Sequence, residues 1–322
     1  MDRSGSKVPR VFKSEAARVR FIAGYDTVLR RWPVAYEERD LPTRLGATHV
    51  VVSGPPDAAP LLLLPCFHGT ATVWRPNVEA LARQHRVYAV DVIGQAGKSI
   101  ASRRIRSRRD FADWLADLLD ALGVSRTSIV GNSYGGFLAL NQASLTPARV
   151  DRVVLINPVG IFTSVVPKFL YGALLAGLKS LLTRRKSAPD IGAFLGRDVR
   201  FGPDDADWVA LLSLVLSGGV RVNAILPTVF ARAELRAIGA PTLLLIGDNE
   251  LLYDPQATLR RARHRMPGLV AELVPNAHHI AAMAQPAAMN ERLLEFLQRG
   301  MWQASRPGVA EFGADCGSLH AR

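Results

Sequence analysis

The chain has 322 residues, 48% of them hydrophobic, and a formal charge of +12 from 40 Lys and Arg against 28 Asp and Glu. That size and apolar content suit one large domain carrying an insertion and exclude a wholly disordered chain. Two cysteines, Cys66 and Cys316, exclude a disulfide framework, and their spacing resembles no metal site. The N-terminus has scattered charges without the apolar core of a signal peptide, so a cytoplasmic, reduced setting is expected.

In chain order, Ala17, Phe21, Tyr25 and Val28 recur at helical spacing and predict a helix over 14–30. It packs either on the core or on another subunit. Segments 36–41 and 48–53 read as edge strands joined through Gly46, and Gly54-Pro55-Pro56-Asp57 turns the chain. The run 61–66 is almost wholly apolar, as in a strand covered on both faces. Helical patterns over 73–84 and 111–122 then alternate with strands over 87–91, 128–132 and 153–157. Strands over 242–247 and 269–274 and a helix over 286–298 close the series. Strands separated by helices call for a mostly parallel sheet with right-handed crossovers.

Residues 160–240 interrupt that rhythm with apolar helical segments over 169–182 and 208–216 and a short patch over 191–195. The expected organisation is an N-terminal helical extension (1–33), a core first half (34–159), a helical cap (160–240), a core second half (241–300) and a loose tail (301–322). The segment 165–182 approaches a membrane span in length, but Pro167, Lys168 and Lys179 interrupt it. The cluster Arg103, Arg104, Arg106, Arg108 and Arg109 lacks a nucleic-acid reading module or aromatic platform and reads as a solvated surface. Gly97-Lys98-Ser99 imitates the end of a phosphate loop. Val92 stands where that loop needs its first glycine, which leaves a turn beside a cleft as the better reading.

Gly131-Asn132-Ser133-Tyr134-Gly135 lies between a β-branched run and an apolar helical stretch. Strand, Gly-x-Ser-x-Gly, helix is the context of a nucleophile elbow. The small residues admit a tight turn that lifts the serine hydroxyl above the sheet, with the Tyr134 N–H aimed at an oxyanion. A serine hydroxyl needs a histidine to take its proton and an acid to orient the imidazole. His278 and His279 fall late in the chain, after Pro275-Asn276-Ala277. After strand 153–157 the chain supplies only Asn157, which cannot carry the charge. After strand 242–247 it supplies Asp248, Glu250 and Asp254, among which the residues alone do not choose. A second oxyanion donor belongs after strand 61–66, where Gly69 allows close approach and the Thr70 N–H is well placed. His68 shapes that loop, and Cys66 is strand core.

These segments together resemble the α/β-hydrolase superfamily over about residues 34–299, in its serine-nucleophile, esterase-like branch. The likeness rests on Phe67-His68-Gly69-Thr70, Asp91 to Ser99, Gly131 to Gly136, Gly247-Asp248-Asn249-Glu250 and His278-His279. It implies the α/β-hydrolase fold, with a helical cap inserted between core strands. Ser133 matches the nucleophile, and the backbone of Thr70 and Tyr134 matches the oxyanion hole. The family's acid usually ends a Gly-x-x-Asp pattern, a place held here by Glu250; Asp248 is the alternative. The family's base usually follows a glycine and precedes a proline by seven residues. His279 keeps that interval to Pro286 and is preferred over His278, which takes the glycine's place. The Asp91 loop is one residue longer than the common Asp-x-x-Gly-x-Gly-x-Ser form.

The implied reaction is hydrolysis of a small hydrophobic ester-like substrate through an acyl-enzyme, with no cofactor and no metal. Lactone, thioester or carbon–carbon bond hydrolysis is the enzymatic alternative. A small-ligand-binding protein on the same fold is the alternative from another class.

Overall fold

A computed structural model describes residues 11–164, 205–221 and 223–298. Among the described residues nine strands form one sheet: β1 (Tyr36–Thr43), β2 (Gly46–Ser53), β3 (Ala59–Leu64), β4 (His85–Val90), β5 (Ile100–Ala101), β6 (Thr127–Asn132), β7 (Val150–Ile156), β8 (Thr242–Gly247) and β9 (Val270–Val274). The order is β1-β2-β4-β3-β6-β7-β8-β9, with β5 paired to β2. The first hairpin and the β2–β4 pair are antiparallel, and every pair from β4 to β9 is parallel. Segment 48–53, expected at an edge, is therefore interior, because β4 pairs with its free side. Strand β3 stops at Leu64, so Cys66 lies in the following loop rather than in the strand.

Alternation within the buried strands sorts side chains to two cores. Leu62 and Leu64 join one core and Leu61 and Leu63 the other. The first core is covered by α3 (Arg108–Ala121) and α4 (Tyr134–Leu145), through Phe111, Trp114, Leu118, Phe137 and Leu140. The second is covered by α1 (Glu15–Leu29) and α2 (Arg75–Ala82), through Phe21, Tyr25, Val28, Val78 and Leu81. The early helix thus packs on its own chain's core. Ser14 caps α1, and a Ser107–Asp110 capping box starts α3. The helix expected over 73–84 begins instead with a 3₁₀ turn, Ala71–Trp74. In the expected cap, α5 (Ala206–Leu214) and α6 (Arg232–Arg236) are described. The segments 169–182 and 191–195 lie outside the described residues. After β8 come α7 (Pro255–Arg265), α8 (Ala281–Ala284) and α9 (Pro286–Gln298). Among the described residues no helix is long and apolar enough to cross a membrane.

The central strand β6 and helix α4 meet without room for side chains. A Cβ on Gly131 would lie 2.3 Å from the Gly135 carbonyl oxygen, and one on Gly135 would lie 2.1 Å from that of Leu64. Both obstacles are backbone, which cannot swing aside. Gly135→Ala is therefore expected to cost about 3 kcal/mol or more, the upper range for overpacking. A urea midpoint unchanged from the parent's, at equal slope, would contradict the contact.

Candidate active site

The site stands where β6 ends. Ser133 lies between β6 and α4 at φ 54° and ψ −111°, a conformation that side chains rarely adopt. Its N–H donates to the Ile156 carbonyl at 2.8 Å, and its own carbonyl accepts from Gly136 and Phe137. His279, on the loop between β9 and α8, places Nε2 2.8 Å from Ser133 Oγ. Its Nδ1 lies 2.6 Å from Glu250 Oε2, on the loop after β8. A carboxylate only accepts, so the Nδ1 proton points at Glu250 and Nε2 is left to accept from the serine. All three side chains are buried.

The two alternatives sit differently. Asp248 Oδ1 accepts the Ala277 N–H at 3.2 Å and so ties the two loops together. His278 Nδ1 lies 3.3 Å from the Asn249 carbonyl and makes no hydrogen bond to Ser133. Asp254 caps α7 by accepting from Ala257. The structure thus brings together Ser133, His279 and Glu250, and leaves Asp248 and His278 at the rim.

A family model for the alpha/beta hydrolase fold matches residues 59–210. Carboxylesterase YbfK of Bacillus subtilis (strain 168) is 36% identical over 298 residues, 90% of this chain and 97% of its own. The crystal structure of naproxen esterase (carboxylesterase NP) from Bacillus subtilis superposes with a TM-score of 0.78 at 33% identity, covering 90% of this chain and all of that one. Carboxylesterase CesB (YbfK) from the same organism gives 0.76 at 34% identity, covering 88% and 99%. The chain belongs to the α/β-hydrolase family.

In this α/β-hydrolase the loop after β3 faces the elbow. The Phe67 ring packs on that of Tyr134, with centroids 5.4 Å apart. Within the loop, His68 N–H donates to Gln95 Oε1 at 2.7 Å, Gly69 N–H to the Cys66 carbonyl at 2.8 Å, and Ala71 N–H to Asp91 Oδ1 at 2.7 Å. The amides of Thr70 and Phe67 have no partner among the described residues. Thr70 was the expected donor. Phe67 is a further candidate that sequence reasoning missed; its signal was its place three residues past the strand end. Burial pushes the Cys66 thiol up to about 11, which keeps it protonated and unreactive.

Asn157 is the other omission. It lacks the charge of an acid, but its fully buried amide donates to the carbonyls of His278 (2.9 Å) and His279 (3.0 Å). Its Oδ1 accepts the Gly247 N–H at 2.8 Å. One side chain therefore joins the ends of β7 and β8 to the histidine loop. The phosphate-loop mimic serves an internal acid: Lys98 N–H donates to Asp91 Oδ2 at 2.7 Å, while Lys98 Nζ pairs with Asp26 and Glu38. Of the arginine cluster, Arg108 pairs with Glu234 and lies over the Phe230 ring. No cluster of metal-binding side chains occurs among the described residues.

Burial lowers His68 from 6.5 to about 4, so it is neutral near pH 7. Between those values the unfolded chain binds the proton and the folded one does not. Its contribution to stability is complete above 6.5 and is lost as pH falls toward 4. Asparagine tolerates the left-handed backbone of this position, φ 57°. His68→Asn should therefore fold and lose less thermal midpoint than the parent over that acid range. Parallel curves would remove His68 as a source of acid sensitivity.

Proposed function

We propose that the chain is a serine carboxylesterase in which Ser133 is the nucleophile, His279 the general base and acid, and Glu250 the acid that orients it. The observation that carries this reading is the unbroken series of hydrogen bonds from Ser133 Oγ through both nitrogens of His279 to Glu250. Its relatives' names, carboxylesterase and naproxen esterase, support ester hydrolysis in particular.

Ser133 Oγ attacks the ester carbonyl carbon while its proton passes to His279 Nε2. The carbonyl π electrons move to oxygen, where the N–H groups of Tyr134 and Thr70 receive the negative charge. The tetrahedral intermediate collapses, and the leaving alkoxide takes the proton from His279. Water then repeats the sequence: His279 takes its proton, hydroxide adds to the acyl carbon, and the acid departs as Oγ regains the proton. Glu250 accepts from His279 Nδ1 and stabilises the imidazolium.

A small hydrophobic ester suits the surroundings. The partly buried Phe67 ring, packed on Tyr134 beside Ser133, offers apolar surface there, which favours carbon surface removed from water. The helical cap over 160–240 belongs to the same proposal, as the cover of this cleft. The cytoplasm is the proposed compartment.

A fluorophosphonate should add one label per chain, detected by intact mass, and the label should vanish in Ser133→Ala. A label retained by that variant would remove Ser133 as the nucleophile. A screen of esters, thioesters and lactones, with Ser133→Ala alongside, separates an esterase from the other hydrolases and from a binding protein; turnover is expected to be greatest on esters. Glu250→Gln should lower kcat by about 10³-fold or more, since loss of the triad acid's charge has costs of that order. Asp248→Asn should act mainly on stability. Equal kcat in Glu250→Gln and the parent would take Glu250 out of the triad.

A further inference from the structure

Gln95, between β4 and β5, is a buried side chain that the proposed reaction does not use. It is fully buried, and its Oε1 accepts the His68 N–H at 2.7 Å. Its Nε2 has no hydrogen-bond partner among the described residues. An unpaired buried donor costs about 1–3 kcal/mol, and here it accompanies one satisfied acceptor. What the amide supplies is its single acceptor.

That acceptor meets the backbone where the chain resists its conformation. His68 has φ 57°, a region unfavourable to residues with a Cβ. The unpaired amides of Phe67 and Thr70 stand on either side along the loop. Farther on, Ala71 N–H is held by Asp91 Oδ1. Asp91 is itself closely packed, since a Cβ on Gly97 would lie 2.7 Å from its Oδ2. The loop after β3 is thus pinned at two points, His68 and Ala71, by two side chains of the neighbouring loop. Thr70 lies between the pins.

We infer that Gln95 is a positioning residue for the oxyanion hole, holding His68 in its left-handed conformation and so keeping the adjacent free amides aimed at the tetrahedral intermediate. The inference rests on the esterase reading above. The oxyanion develops only in the transition state, so misaimed donors lower kcat and leave ground-state binding nearly unchanged.

Removing one oxyanion donor costs about 10²–10³ in kcat, and displacing donors costs less. Gln95→Met, which keeps length and bulk but loses the acceptor, should lower kcat by about 10- to 100-fold with KM within about twofold. Combining Gln95→Met with His68→Gly removes the need for that acceptor, because glycine takes a left-handed φ at no steric cost. The double variant should recover most of the loss. The same series is read a second way, as the rate of Ser133 labelling by a fluorophosphonate, whose phosphoryl oxygen occupies the oxyanion position. Where Gln95→Met does not fold, Gln95→Asn, with its amide withdrawn by one methylene, takes its place.

Parent-like kcat and labelling in the Met variant overturn the inference. So do equal losses in the Met variant and the Met–Gly double variant, which would assign Gln95 to packing. A parent that labels but turns over no ester counts against the esterase reading alone, because labelling still ranks the Gln95 variants. A parent that neither labels nor turns over overturns both.

Discussion

The conformation of Ser133 is the constraint around which this molecule is arranged. A side chain held at φ 54° and ψ −111° costs about 1–3 kcal/mol and persists only where its surroundings over-determine it. Here they do. Strand β6 lies between β3 and β7, both parallel to it, so its end is fixed from two sides. The Ser133 N–H is tied to Ile156 at the end of β7, while its carbonyl accepts the first bonds of α4. Gly131 and Gly135 let the helix approach until only backbone separates it from β6 and β3. Burial of the surrounding leucines, valines and aromatics on both sheet faces supplies the driving force that offsets the strain.

The elbow fixes one partner of a contact whose other members arrive from distant parts of the chain. The loops after β7, β8 and β9 meet at one edge, and polar groups join them. Asn157 reaches from the first to the third, and its oxygen also takes the second's Gly247 N–H. Asp248 and Asn249 exchange further bonds with Ala277. Gly247 again admits only backbone, since a Cβ there would lie 2.2 Å from the Ala277 carbonyl oxygen. Asn157 and Asn276 both take left-handed conformations, φ 43° and 55°, which asparagine tolerates better than most residues. His279 thus sits on a loop whose backbone carbonyls are anchored, and its imidazole is held between Glu250 and Ser133. Such support keeps reacting groups within the tolerance that acyl transfer needs.

Elements with a strong local signal were legible in the sequence. The apolar runs of β3, β6 and β8 and the glycine spacing about Ser133 depend on neighbours a few residues away. Intervals from Gly247 and Pro286, compared with a known family, pointed to Glu250 and His279, which the structure joins by a hydrogen bond. Residues whose purpose is set by tertiary contact were not legible. Asn157 looked like a failed acid because charge was the property sought, whereas the structure uses its donor and acceptor together. Gln95 had no signal at all, since its partner is a backbone amide in another loop. Strand β2 looked like an edge because antiparallel hairpin strands and interior strands share one alternation. Only the return of β4 beside it decides the matter.

Glu250 stands where the resemblance to the family places an aspartate, and its loop shows how the longer side chain is held. A longer side chain has one more rotatable bond, so an unanchored carboxylate would lose both aim and entropy on reaching the imidazole. The anchor is local: Oε1 accepts the Leu252 N–H at 2.8 Å, which folds the side chain back on its own turn. The Glu250 N–H in turn bonds the Gly247 carbonyl at 3.2 Å, closing that turn. With one oxygen and the backbone fixed, the remaining oxygen is left for His279 Nδ1. A buried carboxylate is costly unless its lone pairs are used, and both oxygens here are. Burial and the neighbouring Glu250 charge push the Tyr253 phenol well above its ordinary range, so Tyr253 stays neutral and adds no second anion. Asp248, shorter and two residues earlier, is already committed to Ala277 and holds the loop on which the histidine rides. The two acids therefore differ by reach: the shorter one braces the loop, and the longer one meets the His279 imidazole.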